Sequence, residues 1–288
     1  MWVVAALQAP ITVEVGSVRV VAWEGDEVLA TALAEFAHAV PPWPGLPPLD
    51  PFPVQLFVTR SRARFDSITR GRLPGWSGAV AFPATNTIVL LVQGDPRPTL
   101  RHELAHLALH RAVPGVPLWF SEGYAALAAG EWDRLDALEL SWALVSGTLP
   151  GFEGLTRELR SGPSGARAAY ALATTAVLFL QRLGNEHGLG PLLAAVRTER
   201  DFERGLRRAH LVTLAQFEAL WHRDLRRRYG WLRLVTSFTL FWALVAGLVG
   251  LVWWRRRRRD RVRRAALDEG WIVAADDAQV LDPHGEAD

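Results

Sequence analysis

Residues 99–110 read TLRHELAHLALH, and the His-Glu-x-x-His pattern within them restricts the fold more than any other segment. In an α-helix, two histidines four positions apart share a face and lie about 6 Å apart along the axis. Two imidazoles placed in this way can bind one metal ion. Glu103 is turned by about 100° from His102, which suits a general base better than a third ligand. The pattern therefore predicts a helix with His102 and His106 as metal ligands and Glu103 as the catalytic base.

A third histidine, His110, lies one turn further along and does not complete this site. It is about 12 Å along the axis from His102, which is too far for both imidazoles to bind one ion from a straight helix. We interpret His110 as a surface histidine or one that interacts favourably with the C-terminal end of the helix dipole. The chain has no cysteine, so any metal must be held by histidine and carboxylate side chains.

Glu122 is the best candidate for the third ligand. It lies on the next predicted helix, 118–129, after a proline- and glycine-containing turn at 111–117 that would fold the two helices together. Two histidines and one glutamate form a zinc-binding set that leaves a fourth position open for water. Three further carboxylates compete with Glu122 but are interpreted as solvated: Glu131, Asp133 and Glu139. The alternative is a chance match in which the histidines are ordinary core residues.

The rest of the chain predicts an α+β fold. Residues 11–93 form a small mixed α/β unit, in which the region from 60 to 86 is mostly loop. Its predicted strands are 11–23, 54–59 and 87–92, and its predicted helix is 24–39. Residues 94–230 are predicted to be the mainly helical catalytic part. Its helices are expected at 98–111, 118–129, 131–146, 166–183, 188–197, 199–209 and 213–229.

The C-terminal segment predicts a membrane anchor. Residues 235–254 form a run of 20 without a charge, long enough to cross a hydrocarbon core of about 30 Å, and eight arginines follow within 255–264. We predict a transmembrane helix over 234–254, an arginine-rich cytoplasmic tail over 255–288, and a catalytic domain outside the cytoplasm, in the periplasm. Residues 1–10 resemble the end of a signal peptide. The arginine run is better explained by anionic membrane lipid than by nucleic acid.

The two predicted helices also resemble a known family. RHELAHLAL followed by PLWFSEGYAAL is similar to the gluzincin zinc metallopeptidases, specifically the bacterial peptidase MA-like group related in fold to thermolysin. The resemblance extends over about 55–228, although only the two helices are specific. It implies a zincin-like catalytic part with Zn²⁺ as the cofactor. In this pattern His102, His106 and Glu122 would bind the zinc, and Glu103 would be the base.

The resemblance leaves the supporting residues less well defined. Gluzincins often carry an acidic residue four positions after the ligand glutamate, and here that position is Ala126, so the partner of the ligand histidine is unassigned. Tyr170 resembles a tyrosine that recurs in the group and would stabilise the oxyanion. The alternative for Tyr170 is a residue of an amphipathic helix with its hydroxyl at the surface.

The predicted function is that of a membrane-anchored zinc metallopeptidase that hydrolyses peptide bonds with a metal-activated water and Glu103 as the base. Strand 87–92 could be a sheet edge that pairs with an extended peptide substrate. One alternative is a non-enzymatic, zinc-stabilised binding or scaffold domain, which would not require Glu103. A second alternative is an intramembrane metalloprotease, whose His-Glu-x-x-His motif would lie inside a membrane span.

Overall fold

A computed structural model of the protein describes residues 9–40, 42–71, 73, 75, 77–131, 149–161, 163–229 and 231–269. Within these ranges, it does not describe the side chains of 163–166, 229, 231–238, 240 and 262–269. The signal-peptide remnant, apart from its last two residues, and the predicted helix at 131–146, apart from Glu131, lie outside the described residues, as do Asp133 and Glu139. The chain divides into two compact units, 1–232 and 233–288.

Five strands form one sheet in the first unit: β1 (Pro10–Val15), β2 (Val18–Trp23), β3 (Val54–Thr59), β4 (Ala79–Phe82) and β5 (Thr87–Leu91). Their order across the sheet is β1-β2-β3-β5-β4. The central strands β2, β3 and β5 are parallel, whereas β1 and β4 are antiparallel to their neighbours and form the two edges. The predicted strand at 11–23 is thus a hairpin, which turns at Gly16 with a φ of 57°.

The edge of this sheet is not where the sequence predicted it. The strand at 87–92 is confirmed as β5, but β5 lies between β3 and β4 and is not an edge. The region 60–86, predicted to be mostly loop, contains β4 and a short helix, α2 (Arg62–Ile68). The strand was missed because AVAF spans only four residues and is bounded by Gly78 and Pro83. The continuous apolar run of β5 is typical of an interior strand.

The remaining helices agree with the predicted α+β class and its mainly helical second part. They are α1 (Glu27–His38), α3 (Arg97–Ala112), α4 (Leu118–Ala129), α5 (Phe152–Ser161), α6 (Pro163–Leu183), α7 (Gly190–Glu199), α8 (Phe202–His210), α9 (Leu214–Tyr229) and α10 (Trp231–Glu269). Most of α10 belongs to the second unit. Among the described residues, no helix combines the length and the apolar character that crossing a membrane requires. The predicted span at 234–254 is therefore not confirmed.

Helix α3 lies between two buried cores. Leu100, Leu104 and Leu107 pack with the sheet and α1. Ala105, Ala108 and Leu109 pack with the helical part of the unit. Each fully buried leucine stabilises the fold by roughly 1.5–3 kcal/mol relative to an exposed one. Because α3 is held on both sides, the polar side chains on its remaining face are fixed in position.

Helix α4 is held by a cluster of aromatic rings. Trp119 is fully buried, and its ring stacks on Phe152 of α5 with centroids 4.1 Å apart. The ring of Phe217 on α9 stacks on both Trp119 and Phe152. Trp221 also stacks on Phe152, and its indole N–H donates to Thr175 Oγ1 of α6 at 3.1 Å. These contacts fix α4 relative to α5, α6 and α9.

Gly123 is the point of closest approach between α4 and α6. A Cβ atom added there would lie 2.4 Å from the carbonyl oxygen of Ala173 and 2.9 Å from Val177 Cγ2. Gly123→Ala would gain about 1 kcal/mol of helix propensity. Overpacking against a backbone carbonyl costs about 1–3 kcal/mol, so we expect a net loss in the free energy of unfolding. Urea denaturation measures this loss as a lower midpoint.

Gly190→Ala at the start of α7 is the matched control for this substitution. A Cβ atom there meets nothing closer than 3.8 Å, so we expect no loss of stability. Equal midpoints for Gly123→Ala and the wild type would contradict the close approach of α4 and α6.

Candidate metal centre

The three side chains predicted as metal ligands lie together. His102 and His106 come from α3 and Glu122 from α4, and their nearest donor atoms all lie within 4.8 Å of one another. The Nε2 atoms of both histidines are 3.5 Å from Glu122 Oε2. Donors of a tetrahedral zinc ion with bonds of 2.0–2.2 Å are about 3.3–3.6 Å apart. The donor set and its spacing therefore fit a divalent ion such as zinc, with a fourth position open.

The α3–α4 connection brings the third donor to this place. It consists of residues 113–117, in which Gly115 takes a φ of 78° between Pro114 and Pro117. Neither proline can continue a helix through this segment, so α3 ends and α4 begins after a short reversal. The predicted turn at 111–117, and the packing of α4 against α3, are confirmed.

Glu103 lies in the same cavity as the three donors, and its side chain is buried. Burial raises the pKa of its carboxyl group above the usual range, although the neighbouring His102 and His106 act in the opposite direction. A carboxylate with a raised pKa binds a proton more readily, which is the property that a general base requires. Its environment therefore suits the role predicted from the sequence.

Without a metal, the donors interact with one another. Burial would lower the pKa of His102, but hydrogen bonds to Glu122 and Glu131 outweigh it and raise that pKa to about 10. Burial would likewise raise the pKa of Glu122, but its hydrogen bonds to His102 and His106 hold it well below its usual range. The metal-free centre therefore holds a proton on His102 opposite an ionised Glu122.

Glu131 hydrogen-bonds to His102 and orients its ring, a contact that the sequence did not predict. The Nδ1–H of His102 donates to Glu131 Oε2 at 3.1 Å. Helix α4 ends at Gly130 with a φ of 72°, and the N–H of Glu131 donates to the carbonyl of Ala126 at 3.0 Å. This Schellman motif turns Glu131 back towards α3. Glu131 is exposed, as the interpretation of a solvated carboxylate expects, but it also hydrogen-bonds to His102, and Gly130 was the sequence signal for this turn.

Ser121 supports the second ligand histidine. When Nε2 of His106 faces a metal ion, its Nδ1–H donates to Ser121 Oγ at 2.9 Å, and the Ser121 hydroxyl can then donate to His110 Nε2 at 3.0 Å. Burial, and then the nearby His106, lower the pKa of His110, which favours a neutral imidazole with one ring nitrogen able to accept. The structure thus agrees that His110 is not a ligand. It is half-buried, lines the cavity and lies in the last turn of α3, so it is a helix-end histidine and not a surface one.

We expect Glu131→Gln and Ser121→Ala each to weaken zinc binding by about 10–100-fold. Both substitutions remove a partner that orients a ligand imidazole and fixes its tautomer. Competition with a chromogenic chelator measures the affinity. Glu186→Gln, an exposed glutamate in the segment between α6 and α7, is the control and should bind zinc as the wild type does. Wild-type affinity in both test variants would contradict the supporting roles.

The cavity in front of the donors has a volume of about 460 Å³. Strand β4 and helices α3 to α6 line it, and its lining residues are Ala79, Val80, Ala81, Pro83, His102, Glu103, His106, His110, Val116, Leu118, Ser121, Glu122, Arg160 and Tyr170. Tyr170 therefore lies in the wall of the same cavity as the three donors. Burial and the carboxylates of Glu122, Glu103 and Glu131 raise the pKa of its hydroxyl, which keeps it protonated and able to donate.

Zinc affinity is expected to rise with pH. In the metal-free protein the pKa of His102 is about 10, so at neutral pH a metal ion must displace its proton. Because the proton competes less as the pH increases, the affinity should increase by up to about tenfold per pH unit below that value. Titrations at pH 6.5, 7.5 and 8.5, corrected for the chelator's own protonation, measure this slope. An affinity independent of pH would contradict the protonated state of His102.

The comparisons with known proteins agree with this geometry. Residues 51–227, which are more than half of the 288 residues, match the family model of the Peptidase MA superfamily. A search of curated proteins found no match to the chain. The matched range contains α3, α4 and the cavity described above. The chain therefore belongs to the Peptidase MA superfamily.

Proposed function

We propose that the protein is a zinc-dependent metallopeptidase of the gluzincin type, which hydrolyses peptide bonds in the cavity between β4, α3 and α4. One observation carries the proposal. The donor set of His102, His106 and Glu122 lies in the same cavity as the buried carboxylate of Glu103, within a domain of the Peptidase MA superfamily. Ligands and base are the parts that metal-assisted hydrolysis requires.

Each functional residue of the cavity would have a separate role in the hydrolysis. When bound, zinc would supply a Lewis acid that polarises the scissile carbonyl and acidifies the attacking water. Glu103 accepts the proton of that water and then passes it to the leaving amine. Tyr170, kept protonated, donates a hydrogen bond to the carbonyl oxygen as negative charge develops there. Glu131 and Ser121 hold the two imidazoles in the tautomer that presents Nε2 to the metal.

Strand β4 is the edge that an extended substrate would use, in place of the strand at 87–92. The N–H of Leu91 donates to the carbonyl of Gly78, so along β4 the main-chain groups of Val80 and Phe82 also face β5. The groups of Ala79 and Ala81 then face away from the sheet, and both residues line the cavity. A peptide added to this edge would bind mainly through its backbone, which permits varied side chains.

Metal analysis and chelation test the proposal. The full-length chain, purified without added chelator, should contain close to one zinc ion per molecule. It should cleave members of a mixed peptide pool, lose this activity with 1,10-phenanthroline, and regain it with added zinc. Protein without stoichiometric metal, or cleavage that a chelator does not affect, would contradict a zinc peptidase.

The described geometry also weighs against the alternatives. A purely structural zinc site is usually closed by four protein ligands, whereas the described residues supply three and an open cavity. A non-enzymatic scaffold would also have no use for a buried Glu103. An intramembrane protease would carry its motif inside a membrane span, but α3 is packed between the sheet and the helical core.

A separate proposal concerns localisation. We propose that α10 anchors the protein to a membrane as a single span, with the peptidase domain outside the cytoplasm and the C-terminal tail inside. The support is the uncharged run at 235–254, the eight arginines that follow, and the exposure of its large apolar side chains, among them Phe241, Leu244 and Trp253. Carbonate-washed membranes should retain the full chain. A reporter fused after Asp288 should be active only in the cytoplasm, and the opposite result would overturn this topology.

A further inference from the structure

The cavity contains one arginine whose charge the metal chemistry does not use. Arg160 is the single lysine or arginine among the residues that line the cavity, and it lies in the last turn of α5. Within the described part of the chain, the side chain of Arg160 makes no hydrogen bond and no ion pair. Several exposed arginines of the first unit differ in this respect: Arg19, Arg60, Arg204, Arg207 and Arg208 each pair with a carboxylate.

Helix α5 holds the backbone of Arg160 in place. Phe152, Leu155 and Leu159 bury one face of this helix in the helical core. The N–H of Phe152 donates to Glu218 Oε2 at 2.8 Å, which satisfies the N-terminal end of α5. Arg160 therefore lines the cavity from a fixed helix end and does not belong to a loop.

The charges around the donors leave Arg160 available to a substrate. Glu103 and Glu122 are the two carboxylates among the lining residues, and a divalent ion would offset both. Glu131 is outside the lining and hydrogen-bonds to His102. A guanidinium group binds a carboxylate through two parallel N–H···O bonds, a geometry that neutral groups do not match. The unpaired cation thus favours a negatively charged group on the bound peptide.

We propose that Arg160 is a substrate-binding residue that recognises a carboxylate near the scissile bond, so that the enzyme prefers acidic peptides. The carboxylate could belong to an Asp or Glu side chain or to the C-terminus of a short peptide. This proposal rests on the proposed peptidase function, because it names the substrate class of the same cavity. It adds a specificity that the metal ligands and the β4 edge do not provide.

Binding to an inactive protein tests the proposal independently of catalysis. The protein is the zinc-loaded, full-length Glu103→Gln variant. The probes are fluorescent alanine-rich nonapeptides that carry a single Glu or a single Gln at each position in turn, each made with a free and with an amidated C-terminus. Fluorescence anisotropy measures their affinities. At one or more positions the Glu peptide, or at the C-terminus the free acid, should bind at least about tenfold more tightly than its neutral partner.

Three further substitutions in the same background identify the residue. Arg160→Ala should abolish the preference, and Arg160→Lys should retain only part of it because an ammonium group lacks the paired N–H donors. Arg157→Ala is the matched control, since Arg157 is an exposed arginine on the same helix that is not among the lining residues. It should leave the preference unchanged.

The outcomes separate this proposal from the proposed function. Equal affinities for acidic and neutral peptides, or a preference that survives Arg160→Ala, would overturn the role of Arg160 even if the wild type cleaves peptides. A preference that depends on Arg160 in a protein that cleaves nothing would support carboxylate binding and refute the peptidase. If Arg160→Ala in otherwise wild-type protein slowed cleavage of acidic and neutral peptides equally, Arg160 would act on the reaction itself and not on specificity.

Discussion

Glu103→Gln is expected to abolish nearly all peptide cleavage while the protein keeps its zinc. Glutamine has almost the same size and shape, so the buried position should still be filled and the three donors should keep their places. It cannot accept a proton from the attacking water. The loss of general-base catalysis should lower kcat by about a hundredfold to ten-thousandfold.

Two measurements on the same sample check this expectation: the zinc content, and the initial rate on a peptide that the wild type cleaves. KM should change much less than kcat, because Glu103 acts in the transition state more than in substrate binding. Loss of zinc together with activity would show that Glu103 is a structural part of the centre. Retained activity would assign the base to another group.

Glu122→Ala is expected to remove the metal itself. The carboxylate is the one donor from α4, and both histidine Nε2 atoms are 3.5 Å from its Oε2. Its removal leaves two imidazoles on one helix, and it deletes the negative charge next to the dication. Losing an outer hydrogen-bond partner already costs about 10–100-fold in affinity, so losing a ligand should cost more than a hundredfold.

Zinc content after gel filtration and a chelator competition measure this effect. Glu186→Ala, which removes an exposed carboxylate outside the cavity, should keep one zinc ion per chain. Circular dichroism should show that Glu122→Ala remains folded, because Glu122 does not belong to either buried core. Stoichiometric zinc in the Glu122→Ala protein would exclude this residue as a ligand.

The structure brings the three predicted donors together, and helix geometry determines most of their arrangement. The spacing of His102 and His106 requires a helix, and the Pro/Gly turn after it directs Glu122 back to the same place. The resemblance placed the domain at about 55–228, and the family match covers 51–227. These features depend on local sequence, so the amino-acid sequence of this chain alone indicates them.

The supporting residues were harder to predict because they depend on how the two helices pack. Ser121 precedes a ligand and has no pattern of its own, yet it bridges His106 and His110. Glu131 reaches His102 only because the turn at Gly130 reverses the chain. Strand β4 is too short to produce a clear alternation, although it forms the edge that lines the cavity. Each of these features requires the tertiary structure.

The position of α3 between two cores links the metal to the cooperativity of the whole first unit. The same helix completes the sheet layer through Leu100 and Leu104 and the helical layer through Ala105 and Ala108. An ion that binds only the folded form at a thousand times its Kd adds about 4 kcal/mol to the free energy of unfolding. That stabilisation acts on the helical layer, because α4 cannot separate from α3 without breaking the centre. Zinc should therefore hold α3 in its place in the helical layer, and the sheet packs on that same helix.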